Sequence, residues 1–112
     1  MENVIVEKSF DFAVMIVKLT RRLKEQGVEH SLINQLLRSG TSIGANVEEA
    51  QDAQSKNDFI AKMSIALKEA REARYWLKIL KETDNFSDDE LSNYLEEIIR
   101  ILTKILKTSK AN

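Results

Sequence analysis

Three carboxylates crowd together at Glu48, Glu49 and Asp52, and one histidine stands alone at His30. These are the residue types that acid–base or metal chemistry would use. A general acid–base pair needs two carboxylates held in different environments over a cleft. Neighbours along one helix face read instead as a solvated acidic edge with one partnered member, so catalysis is not expected of them. His30 follows Glu29 where a helical pattern begins. No cysteine and no second histidine is present to complete a zinc site. A di-iron bundle needs Glu-x-x-His on two helices, and the residue three before His30 is Gly27. There is no phosphate-cradling glycine loop and no nucleophile motif. The sequence therefore assigns no catalytic residue, no cofactor and no metal ligand.

Binding chemistry is the next class to weigh. Tyr75 and Trp76 flank an apolar stripe at Leu77, where aromatics usually act as core or interface anchors. Lys62, Lys68, Arg71, Arg74, Lys78 and Lys81 dot the same stretch, but Glu69, Glu72 and Glu82 interleave with them. Lys68 and Lys78 each have a Glu four residues on, while Glu69 has Ala73 at that spacing. This pattern reads as a solvated mixed face before it reads as a nucleic-acid track. The whole chain has 17 basic and 18 acidic residues. Split after Lys56, the halves hold 7 and 8, then 10 and 10, so neither is a basic arm. Phosphate binding needs a positive surface, which makes nucleic acid the less favoured partner. No apolar run approaches the roughly 18 residues of a membrane span. The opening Met-Glu-Asn-Val-Ile-Val-Glu-Lys is unlike a signal peptide. A cytoplasmic protein is the expectation, with no membrane partner.

The elements that must position these residues are helices. The 112-residue chain has no proline and three glycines, and charged and aliphatic residues dominate it. Periodicity and punctuation predict four helices in one domain, residues 1–112. The first runs over about residues 4–26 with Phe12, Ile16, Leu19 and Leu23 as one stripe and Val6, Phe10, Ala13 and Val17 as a second, closed by Gly27. The second covers about residues 31–54. The third follows an N-cap at Ser55 to about Lys81, with Phe59, Met63, Ala66, Ala70, Ala73, Leu77 and Leu80 at four-three spacing. The fourth is predicted to open with a capping box of Ser87 and Glu90, stapled by Phe86 on Leu91, and to reach about Lys107. Short loops between such helices imply an all-α, antiparallel up-down four-helix bundle.

Residues 37–50 of the second helix hold two of the three glycines, Gly40 and Gly44. Each interior helical glycine costs about 1 kcal/mol against alanine, so close backbone approach is the expected return. If the second and third helices pair about Ser55, Gly40 faces Ala70 and Gly44 faces Ala66, and these small residues form a tight seam. A polar line runs beside it: Gln35, Ser39, Ser42, Asn46 and Glu49, with Arg38 alongside. The same register puts Ser39 near Arg71, Arg38 near Glu72 and Asn46 near Ser64. Such contacts would fix register and subunit orientation. Arg38, Ser39, Gly40, Ser42, Gly44, Asn46, Glu49, Ala66, Ala70 and Trp76 are thus the structural and interface candidates.

At these residues the chain resembles the bacterial four helix bundle protein family, also called the 23S rRNA-intervening-sequence or S23 protein family. The matching stretches are residues 35–50, QLLRSGTSIGANVEEA, and 59–70, FIAKMSIALKEA, with Tyr75-Trp76-Leu77. Many members carry Asn-Ile-Ala-Glu-Gly where this chain has Asn46-Val47-Glu48-Glu49-Ala50, so the last glycine is replaced and plain helix is expected there. The resemblance implies bundles that assemble into cyclic pentamers. A related retroelement accessory protein has a basic pentameric surface that binds nucleic acid, from which this slightly acidic chain departs. The expectation is a non-catalytic, self-associating bundle, a homopentameric scaffold or binding module. The alternative is an RNA- or DNA-binding accessory protein.

Overall fold

The computed structural model of the chain describes residues 3–111. Within them run α1 (Val4–Glu25), α2 (His30–Gln51), α3 (Lys56–Asp84) and α4 (Asp89–Ala111). Each helix buries the stripe that its periodicity marks. Phe12 and Ile16 of α1, Leu36 and Ile43 of α2, Met63 and Leu80 of α3, and Leu95 and Leu102 of α4 are all within 1% of full burial. A side chain of that size contributes about 1.5–3 kcal/mol on leaving water. These stripes can meet only if the helices lie side by side, and the short loops make neighbours antiparallel. α1 packs on α2, α2 on α3, α3 on α4 and α4 back on α1, with no substantial diagonal pair among the described residues. The result is the expected up-down bundle, a rod of 47 × 23 × 20 Å. Its length is that of α3, whose 29 residues rise about 43 Å. The α1–α4 seam is the thinnest of the four.

Local signals explain most boundaries. α1 ends in a Schellman turn: Gly27 has φ +81°, its N–H reaches Lys24 O and the Val28 N–H reaches Leu23 O. Ser55 caps α3, its Oγ accepting from the Asp58 N–H at 3.0 Å. α2 stops at Gln51, three residues before the predicted end, where Asp52 and Ala53 turn their N–H groups to Glu49 O and Ala50 O. α3 instead continues three residues past Lys81 and ends at Asn85, which takes the left-handed conformation, φ 53°. The expected capping box at Ser87 is corrected by one residue. Asp88 is the cap: its Oδ1 accepts from the Leu91 N–H at 3.0 Å, and its carbonyl accepts from Ser92. A carboxylate suits a helix N-terminus better than a hydroxyl because it also meets the positive end of the dipole. Phe86 still packs onto the core.

Candidate functional site

The two glycines do permit a close approach, but toward the other neighbour. A Cβ on Gly40 would lie 2.8 Å from Cγ1 of Ile16 and 2.9 Å from its Cγ2. A Cβ on Gly44 would lie 3.2 Å from the backbone oxygen of Ser9. Both partners belong to α1, so the tight seam is α1–α2, and the expected pairing of Gly40 with Ala70 and Gly44 with Ala66 does not occur. Ala66 and Ala70 are fully buried core residues of α3. The physical reason is the angle between stripes on α2. Its α3-facing side is the polar line, so the small residues a third of a turn away must look toward α1.

That polar line also differs from expectation. Ser39 is fully buried, yet its hydroxyl donates to Gln35 O at 2.9 Å in its own helix and takes no hydrogen bond from Arg71. Ser42 donates to Arg38 O at 2.6 Å, and Asn46 Nδ2 donates to Ser42 O at 2.8 Å rather than reaching Ser64. Thr41 and Gln51 do the same toward Leu37 O and Val47 O. Short polar side chains satisfied on their own backbone need no partner across a seam. Among the described residues, no buried side-chain polar atom lacks a hydrogen bond.

The expected contact that does form is Arg38 with Glu72. The Arg38 Nη2 donates to Glu72 Oε2, and Nη1 to both carboxylate oxygens of Glu69 at 3.2 and 3.3 Å. Trp76 Nε1 donates to the same Glu72 oxygen at 3.0 Å. The Trp76 bond, followed by the Arg38 guanidinium, holds the Glu72 carboxyl below the ordinary carboxylate range; Glu72 in turn raises Arg38. Glu49 pairs with Lys62 at 3.0 Å, about three helical turns further along α2. These ion pairs fix the α2–α3 register, and the sequence register anticipated it. The Arg38–Glu69 bond adds to that expectation: Glu69 lies one turn before Glu72 on the same face of α3, within reach of the second guanidinium nitrogen.

The remaining candidates fall into place by exposure. His30, Glu48 and Asp52 are exposed, and Glu48 and Asp52 take no hydrogen bond to one another. Trp76 is half-buried and meets the exposed Tyr75 ring edge-on at 5.4 Å. No group of three metal-ligating side chains occurs among the described residues, and none of their helices is long and apolar enough to cross a membrane. Polar contacts run along the outer edge of the α1–α4 seam: Lys8 bonds Glu97 at 3.0 Å and lies over the Tyr94 ring at 4.7 Å. Outside these networks the conspicuous surface is apolar. Phe10 is 62% exposed and Val14 37%, beside half-buried Ala13 and Val17. A groove of about 210 Å³ opens beside them, where Val6, Phe10 and Ala13 meet Thr41, Gly44 and Ala45 of α2. Val14 was missed by the sequence reading, although its spacing from Phe10 and Val17 was the signal.

Comparison with known proteins agrees with this geometry. The pattern of the 23S rRNA-intervening sequence protein family matches residues 1–107. A crystal structure from Bacteroides thetaiotaomicron superimposes with a TM-score of 0.88 at 45% identity, over 92% of this chain and 98% of that one. It is described as a protein with unknown function from the S23 ribosomal protein family. No curated protein matches. A bundle with this α2 sequence and this extent of match belongs to the 23S rRNA-intervening sequence protein family.

Proposed function

We propose that this protein is a non-catalytic cytoplasmic bundle that assembles with copies of itself into a homo-oligomeric scaffold or binding module, a ring of five being the specific form. The exposed apolar face of α1 carries this reading. A monomeric bundle needs one apolar face per helix, and α1 has a second, centred on Phe10 and Val14. The family resemblance supports the number five. The exposure of Glu48 and Asp52 and the pairing of Glu49 with Lys62 support a structural rather than catalytic use of the acidic cluster. Light scattering at micromolar concentration is expected to return the mass of five chains. A single-chain mass overturns the reading.

A second reading has one observation in its favour. From Ile98 onward α4 carries Arg100, Lys104, Lys107 and Lys110 and no acidic residue. All four are exposed, and none enters an ion pair among the described residues. Five such stripes in one assembly would form a basic zone that a phosphate backbone could follow. Retention on immobilised nucleic acid that falls steeply with salt supports this second role. Flow-through at low salt removes it.

A further inference from the structure

We propose that the copies join head to tail: the outer face of α1, with its groove against α2, docks on the outer stripe of α3 in the next copy. The inference rests on the self-association proposed above and names its two surfaces. The first surface is Phe10, Val14 and Val17 with the α2 flank at Thr41 and Ala45. The second lies on the diagonally placed helix. Ala61, Ile65, Lys68, Glu72, Tyr75 and Ile79 recur along α3 at four-three spacing, outside its core stripe. On it Ile65 is 41% exposed and Tyr75 57%. Phe10, Val14, Ile65 and Tyr75, with Val4 at the start of α1, are the large hydrophobic residues the bundle leaves exposed.

The choice of a head-to-tail contact follows from having two such strips. A two-fold contact of α1 on α1 would leave Ile65 and Tyr75 in water. A contact of α3 on α3 would leave Phe10 and Val14. Docking one strip on the other covers both in every copy with one kind of interface. Closed rings add a further demand, because rotation about the ring axis moves no copy along it. With the bundles upright in the ring, the two strips must lie at overlapping heights, and they do. Ile16 of α1 fills the space beside Gly40, and Arg38 in the same turn of α2 bonds Glu72 of α3. α1 near Val17 and α3 near Glu72 are therefore about level. Phe10 and Ile65 both project below that height, Arg21 and Tyr75 above it.

The α1 strip ends in Lys18 and Arg21, and at that height α3 offers the Tyr75 ring, a pairing for cations, and the Oε1 atom of Glu72, whose Oε2 is taken by Arg38 and Trp76. The two strips are also less than opposite. The α1 strip leans onto α2 through its groove, and the α3 strip leans the same way through the Trp76–Glu72–Arg38 chain. Faces inclined to one another close a ring, whereas opposed faces build an open row.

The test uses Val14→Asp and Ile65→Asp, both at exposed positions, with Phe10→Ser and Tyr75→Ser as a milder second pair. Parent, each variant and an equimolar mixture are weighed by native mass measurement, with helicity checked by circular dichroism. The parent is expected to be oligomeric and each variant alone to fall to a single chain. The mixture is expected to give the mass of two chains, because one intact α1 face then meets one intact α3 stripe. If the parent is oligomeric and either variant stays so, or if the mixture stays at one chain, the proposal is overturned and self-association stands. Loss of assembly in the α1 variants only identifies a two-fold α1 contact and overturns it likewise. A single-chain parent removes both.

Discussion

Gly40 shows what a single missing methyl group can decide. Replacing an interior helical glycine by alanine ordinarily stabilises by about 1 kcal/mol. Here the added Cβ would sit 2.8 Å from a branch of Ile16, a β-branched side chain with little rotamer freedom in a helix. Over-packing of a tight seam costs typically 1–3 kcal/mol, so Gly40→Ala is expected to lower stability in spite of its helix propensity. Ile16→Val offers no relief, because valine keeps both Cγ atoms. Ile16→Ala removes them, so the double variant Gly40→Ala/Ile16→Ala is expected to be more stable than Ile16→Ala alone. Denaturant melts of the four proteins give the coupling directly. Additive effects would show that the seam has room to spare. That a close approach existed was legible in the spacing of Gly40 and Gly44. Its direction was not, because the spacing of Gly40 and Gly44 suits either neighbouring helix, and Ile16 carries no mark that sets it apart from the rest of the α1 stripe.

At the scale of elements, the stripes were legible and the ends less so. Phe12, Ile16, Leu19 and Leu23, or Leu91, Leu95, Ile98 and Leu102, repeat so regularly that only a buried helix face accounts for them. Ends depend on which of several adjacent polar residues wins a backbone N–H. Ser55 had no rival and was read correctly. Ser87, Asp88 and Asp89 compete at the start of α4, and Asp88 wins by charge as well as reach. Asp88→Ala is therefore expected to cost about 1 kcal/mol in a thermal or urea melt, and Ser87→Ala close to nothing. Equal losses would put the cap back at Ser87. Asn85 went unseen because a left-handed asparagine at a helix end leaves no periodic trace. The polar line of α2 was seen but misread. Ser39, Thr41, Ser42, Asn46 and Gln51 each bond a carbonyl four residues back, a local outlet that spacing alone does not reveal. Arg38, long enough to leave its own helix, crosses to Glu72 as the register implied, and Glu49 crosses to Lys62, a partner the register did not single out.

At the scale of the molecule, the four seams are unequal, and the inequality sets how the bundle should open. α2 and α3 each lie between two well-packed neighbours. α1 and α4 each have one such neighbour and share the thin seam edged by Lys8, Glu97, Tyr94 and Asp11. Ion pairs at that level of exposure contribute little and weaken with salt. Local opening follows the lowest density of buried contacts, so amides of α1 and α4 are expected to exchange before those of α2 and α3, the more so at high ionic strength. Uniform protection along all four helices would contradict this ordering. Assembly gives the measurement a second axis. If α1 is covered by the next copy, its protection must rise with protein concentration, because only the associated state shields it. The α3 amides, which exchange near the global limit, gain as well, because association stabilises the folded state as a whole, whereas α4 opens locally and lies outside the proposed contact. Hydrogen exchange across a dilution series is therefore expected to separate α1, whose protection depends on concentration, from α4, whose protection does not. If α1 and α4 respond together, or neither responds, the apolar face of α1 is not where the copies meet.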